Sequence, residues 1–97
     1  MRYDLSRQAS AEIDNIIRYT DENFGQDQTA EYVGGLYNSF EILADNPRMG
    51  QAWDGHLKRR YIYRSHYVFY RILEDENRLV ITDIRSTRQQ IPPQWER

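Results

Sequence analysis

The segment from Leu57 to Arg71 limits the possible folds of this chain more than any other part of it. It carries five basic and five aromatic side chains, with no acidic residue between them. Aromatic and β-branched residues favour β-strands, and alternate side chains of a strand point to opposite faces. Strands built from this segment can therefore place rings on one face and cations on the other. Such an arrangement indicates a protein that binds an anionic partner or displays charge beside its core.

Three strand-like runs lie in the second half of the chain, namely Leu57–Tyr63, His66–Leu73 and Leu79–Arg85. Arg64-Ser65 and the charged residues 74–78 separate these runs as turns. Short links between consecutive strands require antiparallel pairing. The second half therefore predicts an antiparallel sheet. Most of its rings should hold the sheet to whatever covers it.

Two amphipathic helices are predicted in the first half of the chain. The first follows the N-cap Ser6, carries its apolar residues on one face and ends near Gly25. The second runs from about Asp27 to Asp45 and ends before Pro47, because proline disfavours a helical residue before it. Since only a few residues connect the helices, they should form an antiparallel hairpin.

Two consecutive glycines, Gly34 and Gly35, lie inside the second predicted helix. Each costs about 1 kcal/mol relative to alanine in a helix interior. The pair makes sense if it allows the two helices to approach each other closely. A local break in the helix is the alternative interpretation.

The order of these elements predicts an α+β fold. Residues 2–5 alternate in polarity and should form a short strand at the sheet edge, which gives the order β-α-α-β-β-β. The antiparallel helical hairpin then packs on a three- to four-stranded antiparallel sheet. The 97 residues should form one domain, 1–97. Pro92-Pro93 should end regular structure, and Trp95 indicates that the C-terminal tail packs somewhere on the domain.

The composition argues against several classes of protein. The chain has no cysteine, so it has no disulfide framework, and it has no apolar run of the ~20 residues that span a bilayer. The N-terminus lacks the apolar region of a signal peptide. We therefore expect a cytoplasmic protein without a membrane partner. Because the chain has no Cys/His cluster and no Gly-rich phosphate loop, we expect it to bind no metal and no cofactor.

The charge is distributed unevenly along the chain. Residues 1–45 carry three basic and nine acidic side chains, a net charge of −6, whereas residues 46–97 carry ten basic and six acidic ones, a net charge of +4. The basic half could meet a charged partner, or the two halves could attract each other within the fold. The net charge of the whole chain, −2, does not indicate nucleic-acid binding by the domain as a whole.

Candidate site residues lie on the predicted strands. Arg85 and Arg88 are three residues apart, and a guanidinium binds phosphate or carboxylate through its planar fork. One of them could join Arg59 and Arg71 in an anionic site, or it could pair with helix carboxylates. His66 could act as a general base near neutral pH, but a polar residue at a strand end is the favoured interpretation.

The order of these features resembles the ParE branch of the RelE/ParE superfamily of bacterial toxin–antitoxin toxins. The resemblance covers nearly the whole chain. Its most specific parts are NPRMG, which begins at Asn46, and the pattern H-x-V-F-Y-R, which begins at His66; the last predicted strand ends IRSTRQQ. The family fold that this implies, a helical hairpin on an antiparallel sheet, agrees with the fold predicted above.

The resemblance implies a toxin that inhibits DNA gyrase by binding it. It also implies a ParD-like antitoxin that is acidic, partly disordered until bound, and responsible for binding operator DNA. Arg59, Arg71 and Arg88 match basic positions that recur in the family. Together with Arg85 and Tyr70 they are the candidates for contact with the target or the antitoxin, and no catalytic residue is expected.

Two other functions remain open at this point. RelE-type relatives cut messenger RNA on the ribosome, and many relatives carry a histidine two residues before the arginine that matches Arg88. Here that position is Ser86, which argues against an endoribonuclease. The other alternative is a non-toxic module whose only role is to bind an antitoxin.

Overall fold

Two helices pack on one face of a five-stranded sheet in the computed structural model, which describes residues 1–53 and 57–88. The elements are β1 (Arg2–Leu5), α1 (Arg7–Phe24), α2 (Gln26–Asp45), β2 (Gln51–Ala52), β3 (Lys58–Tyr63), β4 (His66–Leu73) and β5 (Arg78–Ser86), with a 3-10 turn at Glu74–Glu76. The strand order is β1-β5-β4-β3-β2. This arrangement confirms the α+β fold with its helical hairpin.

The sheet differs from the prediction in strand number and direction. It has five strands, whereas three or four were expected, because Gln51–Ala52 adds a pairing too short to be recognised from alternation. It is mixed and not purely antiparallel, since β1 pairs with β5 in parallel. The rule for short hairpin links does not apply to β1, because both helices separate it from the rest of the sheet. The expected position of β1 at the sheet edge is confirmed.

Local hydrogen bonds explain the ends of the first helix. The Ser6 hydroxyl accepts a hydrogen bond from the Ala9 N–H at 3.0 Å and donates one to the Thr82 carbonyl at 2.6 Å. Ser6 thus caps α1 and also ties its start to β5. Gly25 has a φ of 87°, which suits glycine, and it is the only residue between α1 and α2. The hairpin therefore turns within one residue.

The main core lies between the helices and the sheet. Its fully buried side chains come from α1, α2, β4 and β5, among them Ala9, Leu36, Phe40, Leu43, Val68, Tyr70, Leu79 and Ile81. In β5, Thr82 has no register partner, because Phe69 pairs with Asp83 and Tyr70 pairs with Ile81. This bulge changes the alternation of β5, so Ile81 and Ile84 both reach the core although three positions separate them.

The glycine pair has a different role from the predicted one. Helix α2 continues without a break through Gly34 and Gly35. A methyl group on Gly35 would overlap the Tyr63 hydroxyl of β3, whereas no heavy atom lies within 4 Å of the same position on Gly34. The interpretation that the glycines bring the helices together is therefore wrong. Gly35 instead makes room for a tyrosine of the sheet.

The C-terminal features named from the sequence, Pro92-Pro93 and Trp95, lie outside the described residues. No helix in the described part of the chain is both long and apolar enough to cross a membrane.

Candidate functional site

One face of the sheet carries the helices, and we call the opposite one the outer face. The strand register places on it the side chains of Arg2, Asp4, Lys58, Arg60, Ile62, Tyr67, Phe69, Arg71, Arg78, Val80, Asp83 and Arg85. Six of these are cations and two are carboxylates. No helix among the described residues lies over this face, so its cations are not covered by a helix.

Both carboxylates of the outer face are engaged with cations of the same face. Lys58 Nζ lies 2.6 Å from Asp83 Oδ2, and the Asp83 side chain is only 5% exposed. Arg78 donates to Asp4 at 2.9 Å and to Glu76 at 2.9 Å. The hydrogen bond to Glu76, and to a smaller extent the one to Asp4, raises the pKa of the Arg78 guanidinium above its usual value.

Arg60 is held between two aromatic rings near the centre of the outer face. Its guanidinium carbon lies 4.0 Å from the ring centroid of Trp53 and 4.8 Å from that of Tyr67. Arg60 also donates to Gln51 Oε1 at 3.1 Å. Both rings contact the fully buried Phe69 beneath them. Among the described residues, the two rings and the Gln51 amide hold this cation, and no carboxylate does.

The structure separates the aromatic rings of the segment from Leu57 to Arg71 into two groups. Tyr61, Tyr63 and Tyr70 pack against the main core, as expected for rings that hold the sheet to the helices. Tyr67 and Phe69 instead form the small cluster on the outer face described above. The outer face therefore carries both rings and cations, and the two kinds of side chain are not sorted to opposite faces.

Two of the predicted contact residues, Arg59 and Tyr70, hold the loop that follows α2. Arg59 donates to the carbonyls of Arg48 at 2.9 Å and Gly50 at 2.5 Å. The Tyr70 hydroxyl donates to the Pro47 carbonyl at 2.7 Å and accepts from the Gly50 N–H at 2.9 Å. Tyr70 has no exposed surface, so in this conformation its ring contacts only this chain. The NPRMG segment is thus a loop fixed to β3 and β4.

The other three predicted contact residues lie at two separate places. Arg71 and Arg85 point from β4 and β5 to the outer face. No hydrogen bond or ion pair joins Arg71 to another of the described residues, and its Nε is buried without a partner. Arg88 is exposed and lies at a cleft beyond the end of β5. Arg59 and Arg71 line one cleft, which Glu74, Asp75 and Glu76 also line, but the structure does not bring all five candidates together into one anionic site.

The cleft at Arg88 has a volume of about 570 Å³, and we call it the His66 cleft. Both helices and the adjacent ends of β4 and β5 form its walls, with lining residues that include Glu12, Tyr19, Phe24, Tyr32, His66, Ser86 and Arg88. Tyr19 and Phe24 are 60% and 61% exposed, and their rings meet edge to face with centroids 6.4 Å apart. The cleft thus joins aromatic surface to a cation.

His66 has a partner within this cleft. Its Nδ1 lies 2.6 Å from the Tyr32 hydroxyl, and the Ser65 N–H donates to the same hydroxyl oxygen at 3.3 Å. In the neutral tautomer that carries its proton on Nε2, the Tyr32 hydroxyl donates to Nδ1 while its oxygen accepts from Ser65. Burial lowers the pKa of His66, which favours the same neutral form. The ring thus serves as an acceptor at a strand end.

Comparison with known proteins gives the family. A model of the "ParE toxin of type II toxin-antitoxin system, parDE" matches residues 3–91. The chain belongs to the ParE toxin family. Toxin ParE1 of Caulobacter vibrioides is 41% identical over 73 residues, which cover 72% of this chain and 75% of that protein. Toxin ParE1 of Mycobacterium tuberculosis H37Rv is 36% identical over 75 residues, or 73% of this chain and 74% of the relative.

A solved structure supports the fold of this ParE-family chain. A chain of the chromosomal ParDE TA system from P. aeruginosa superposes with a TM-score of 0.75 and covers 89% of this chain and 95% of its own length. The sequence identity is 18%, so this likeness concerns the fold. The family predicted from the order of short motifs is confirmed by the family model and by the relative from Caulobacter vibrioides.

The contacts that organise the outer face of this ParE-family toxin join distant residues, so the local sequence pattern does not contain them. The Lys58–Asp83 ion pair joins residues 25 positions apart, and the Arg60 stack needs a tryptophan from the β2–β3 connection. A carboxylate in the apolar strand β5 was the available signal for Asp83. Nothing in the local pattern indicated Trp53. Among the described residues, no group of three His, Asp or Glu side chains could hold a metal ion.

The His66–Tyr32 contact predicts how stability depends on pH. Below the ordinary histidine pKa of about 6.5 the unfolded chain takes up a proton before the folded one does. The free energy of unfolding should therefore fall as the pH is lowered through this value toward the lower pKa of the folded state. His66→Gln keeps an acceptor for Tyr32 but cannot titrate, so its pH profile should be flatter.

Urea unfolding at a series of pH values between 7.5 and 5 measures this difference directly. The second histidine, His56, is present in both proteins and cancels when the two profiles are subtracted. Superimposable profiles of wild type and His66→Gln would contradict a lowered pKa at His66.

Proposed function

We propose that this ParE-family toxin inhibits DNA gyrase by binding it in the cytoplasm, without catalysing a reaction, and that a ParD-like antitoxin neutralises it. The observation that carries the proposal is the match of the family model to residues 3–91. The solved relative belongs to a ParDE system, which supports a ParD-like partner here. In this proposal, recognition of operator DNA belongs to the antitoxin.

The state of the histidine supports binding over ribonuclease chemistry. Many relatives carry a histidine at the position of Ser86, and in this fold His66 is the register partner of Ser86 on the neighbouring strand. The only described histidine near that position is thus His66, and Tyr32 occupies its Nδ1. A general base must reach the proton that it removes. The geometry at the end of β5 therefore favours a role in contact and not in proton transfer.

The His66 cleft supplies a surface suited to the antitoxin. Tyr19 and Phe24 expose adjoining rings, and Arg88 lies in the same cleft. An amphipathic helix can place apolar side chains on such rings, while an acidic residue of the helix pairs with the arginine. The acidic character expected of the antitoxin fits this combination of aromatic surface and cation.

A supercoiling assay tests the proposed target. Purified toxin should block the introduction of supercoils into relaxed plasmid by gyrase, and addition of the cognate antitoxin should restore the activity. Uninhibited gyrase at a large molar excess of toxin would reject the proposal. Mapping of transcript ends in cells that express the toxin covers the ribonuclease alternative, because cleavage at codon-linked positions would identify a RelE-type activity. Normal growth during expression without antitoxin would indicate a non-toxic module.

A further inference from the structure

The outer face differs sharply in charge from the rest of the molecule. Its strands contribute six cations and two carboxylates, and Glu76 is paired with Arg78 of this face, which gives a formal charge of +3, whereas the whole chain has −2. The remainder of the chain therefore carries −5. A surface of this sign on an otherwise acidic protein attracts polyanions to one side only and orients the molecule as they approach.

The cations extend along the full length of the outer face. Arg85 is level with Tyr67 at one end of β4, and Arg78 is level with Leu73 at the other end. Six residues of a strand span about 20 Å. This length exceeds a single phosphate or carboxylate group. Duplex DNA carries about one negative charge per 1.7 Å of its axis, so a stretch of DNA presents roughly a dozen charges over the same length.

The excess of positive charge on the outer face fits a nucleic-acid interface. Arginine is also common in protein interfaces, so Arg60 and Arg71 do not by themselves distinguish the two kinds of partner, whereas the net charge of the face does. Phe69, the large apolar residue at the centre of the face, is completely buried. Protein–DNA interfaces are more polar and much more positive than those between proteins. An acidic peptide could anchor on Ile62, which is 51% exposed near one end of β3, but it would meet Arg60 and the buried Phe69 farther along the face.

Two arginines are prepared for contact with phosphate. Stacking between Trp53 and Tyr67 fixes the guanidinium plane of Arg60, which has no carboxylate partner in the described part of the chain. Arg71 has no ion pair with any described residue. A planar guanidinium donates two parallel hydrogen bonds to a phosphate group. These side chains therefore offer donors that binding would not have to release from an internal carboxylate.

We propose that the outer face binds the phosphate backbone of duplex DNA, so that the toxin contacts the DNA held by gyrase as well as the enzyme. The charge and the arginines of the outer face point to a phosphate backbone as the ligand. That this backbone belongs to duplex DNA rests on the proposed function. Contacts to phosphates carry no sequence information directly. The interaction is therefore distinct from operator recognition and has no preferred sequence.

Fluorescence anisotropy with a labelled 20-base-pair duplex, in the absence of gyrase, tests this inference. Arg71→Gln should weaken binding about 3–10-fold at 50 mM salt and reduce the slope of log affinity against log salt by about one. Arg2→Gln, at the edge of the same face, should have a smaller effect in the same direction. Arg18→Gln is the matched control, because Arg18 lies exposed on α1 and loses the same charge.

Several results would overturn the inference. The first is that the wild type does not bind the duplex at 50 mM salt. The second is that Arg18→Gln and Arg71→Gln weaken binding equally. The third is that the wild type binds a single-stranded RNA or a polyglutamate peptide more tightly than the duplex. Circular dichroism spectra of the variants verify that they fold. The supercoiling assay separates this inference from the proposed function. Gyrase inhibition without duplex binding would reject only the DNA contact, whereas duplex binding without inhibition would reject gyrase as the target.

Discussion

Replacing Lys58 with methionine is expected to lower the free energy of unfolding by about 3–5 kcal/mol, the usual result when one partner of a buried ion pair is removed. The side chains of Lys58 and Asp83 are 18% and 5% exposed, and their charged atoms lie 2.6 Å apart. Without Lys58 the Asp83 carboxylate would stay in the sheet with little access to water. Urea denaturation followed by circular dichroism gives the free energy.

The reverse change and the double variant provide the controls for Lys58→Met. Asp83→Leu should cost less, because the more exposed Lys58 can still reach water. The double variant Lys58→Met/Asp83→Leu should be close to wild type, since a well-packed apolar pair often replaces a buried ion pair without loss. A cost below about 1 kcal/mol for Lys58→Met alone would show that water reaches Asp83 and would contradict this account.

Alanine substitutions at the two adjacent glycines of α2 are expected to act in opposite directions. Gly35→Ala would place a methyl group against the Tyr63 hydroxyl, which donates to the Tyr32 carbonyl at 2.8 Å. Displacement of that hydroxyl should destabilise the protein by about 1–3 kcal/mol, the range for added groups in packed sites. Gly34→Ala meets no atom within 4 Å, so it should stabilise the protein by up to about 1 kcal/mol through helix propensity.

The two variants are matched, because they have the same chemistry on consecutive residues of one helix. Thermal and urea unfolding of both proteins measure the two changes. Stabilisation by both substitutions would mean that α2 and β3 adjust easily. Destabilisation by both would contradict the open space at Gly34, where no heavy atom lies within 4 Å of an added methyl group.

Much of the fold could be predicted from the sequence because its signals are local. Ser6 and Gly25 were recognised from residue type and position, and they do cap and end α1. The periodicity of apolar residues predicted α2 to within one residue of its start and exactly at its end, Asp45. Short turns required β3, β4 and β5 to be antiparallel neighbours, as they are. Each inference depends on residues a few positions apart.

The candidate site was less predictable, because its contacts join distant residues. Arg59 and Tyr70 were expected at a surface, but both hold the loop after α2, and Tyr70 is fully buried. Strand alternation alone could not reveal this, since the position of the loop that Arg59 and Tyr70 hold arises from packing. The same applies to Gly35, whose neighbour Tyr63 is 28 residues away in the chain.

The sequence by itself determined the helical hairpin, the antiparallel β3–β5 meander and, through short ordered motifs, the family. Helix periodicity, caps and turns are properties of neighbouring residues, so the linear pattern contains them. Only the tertiary structure decided which charges share a surface. It placed the cations of four strands on the outer face and left Arg88 at the His66 cleft, because strand register and a single bulge determine the face to which each side chain points.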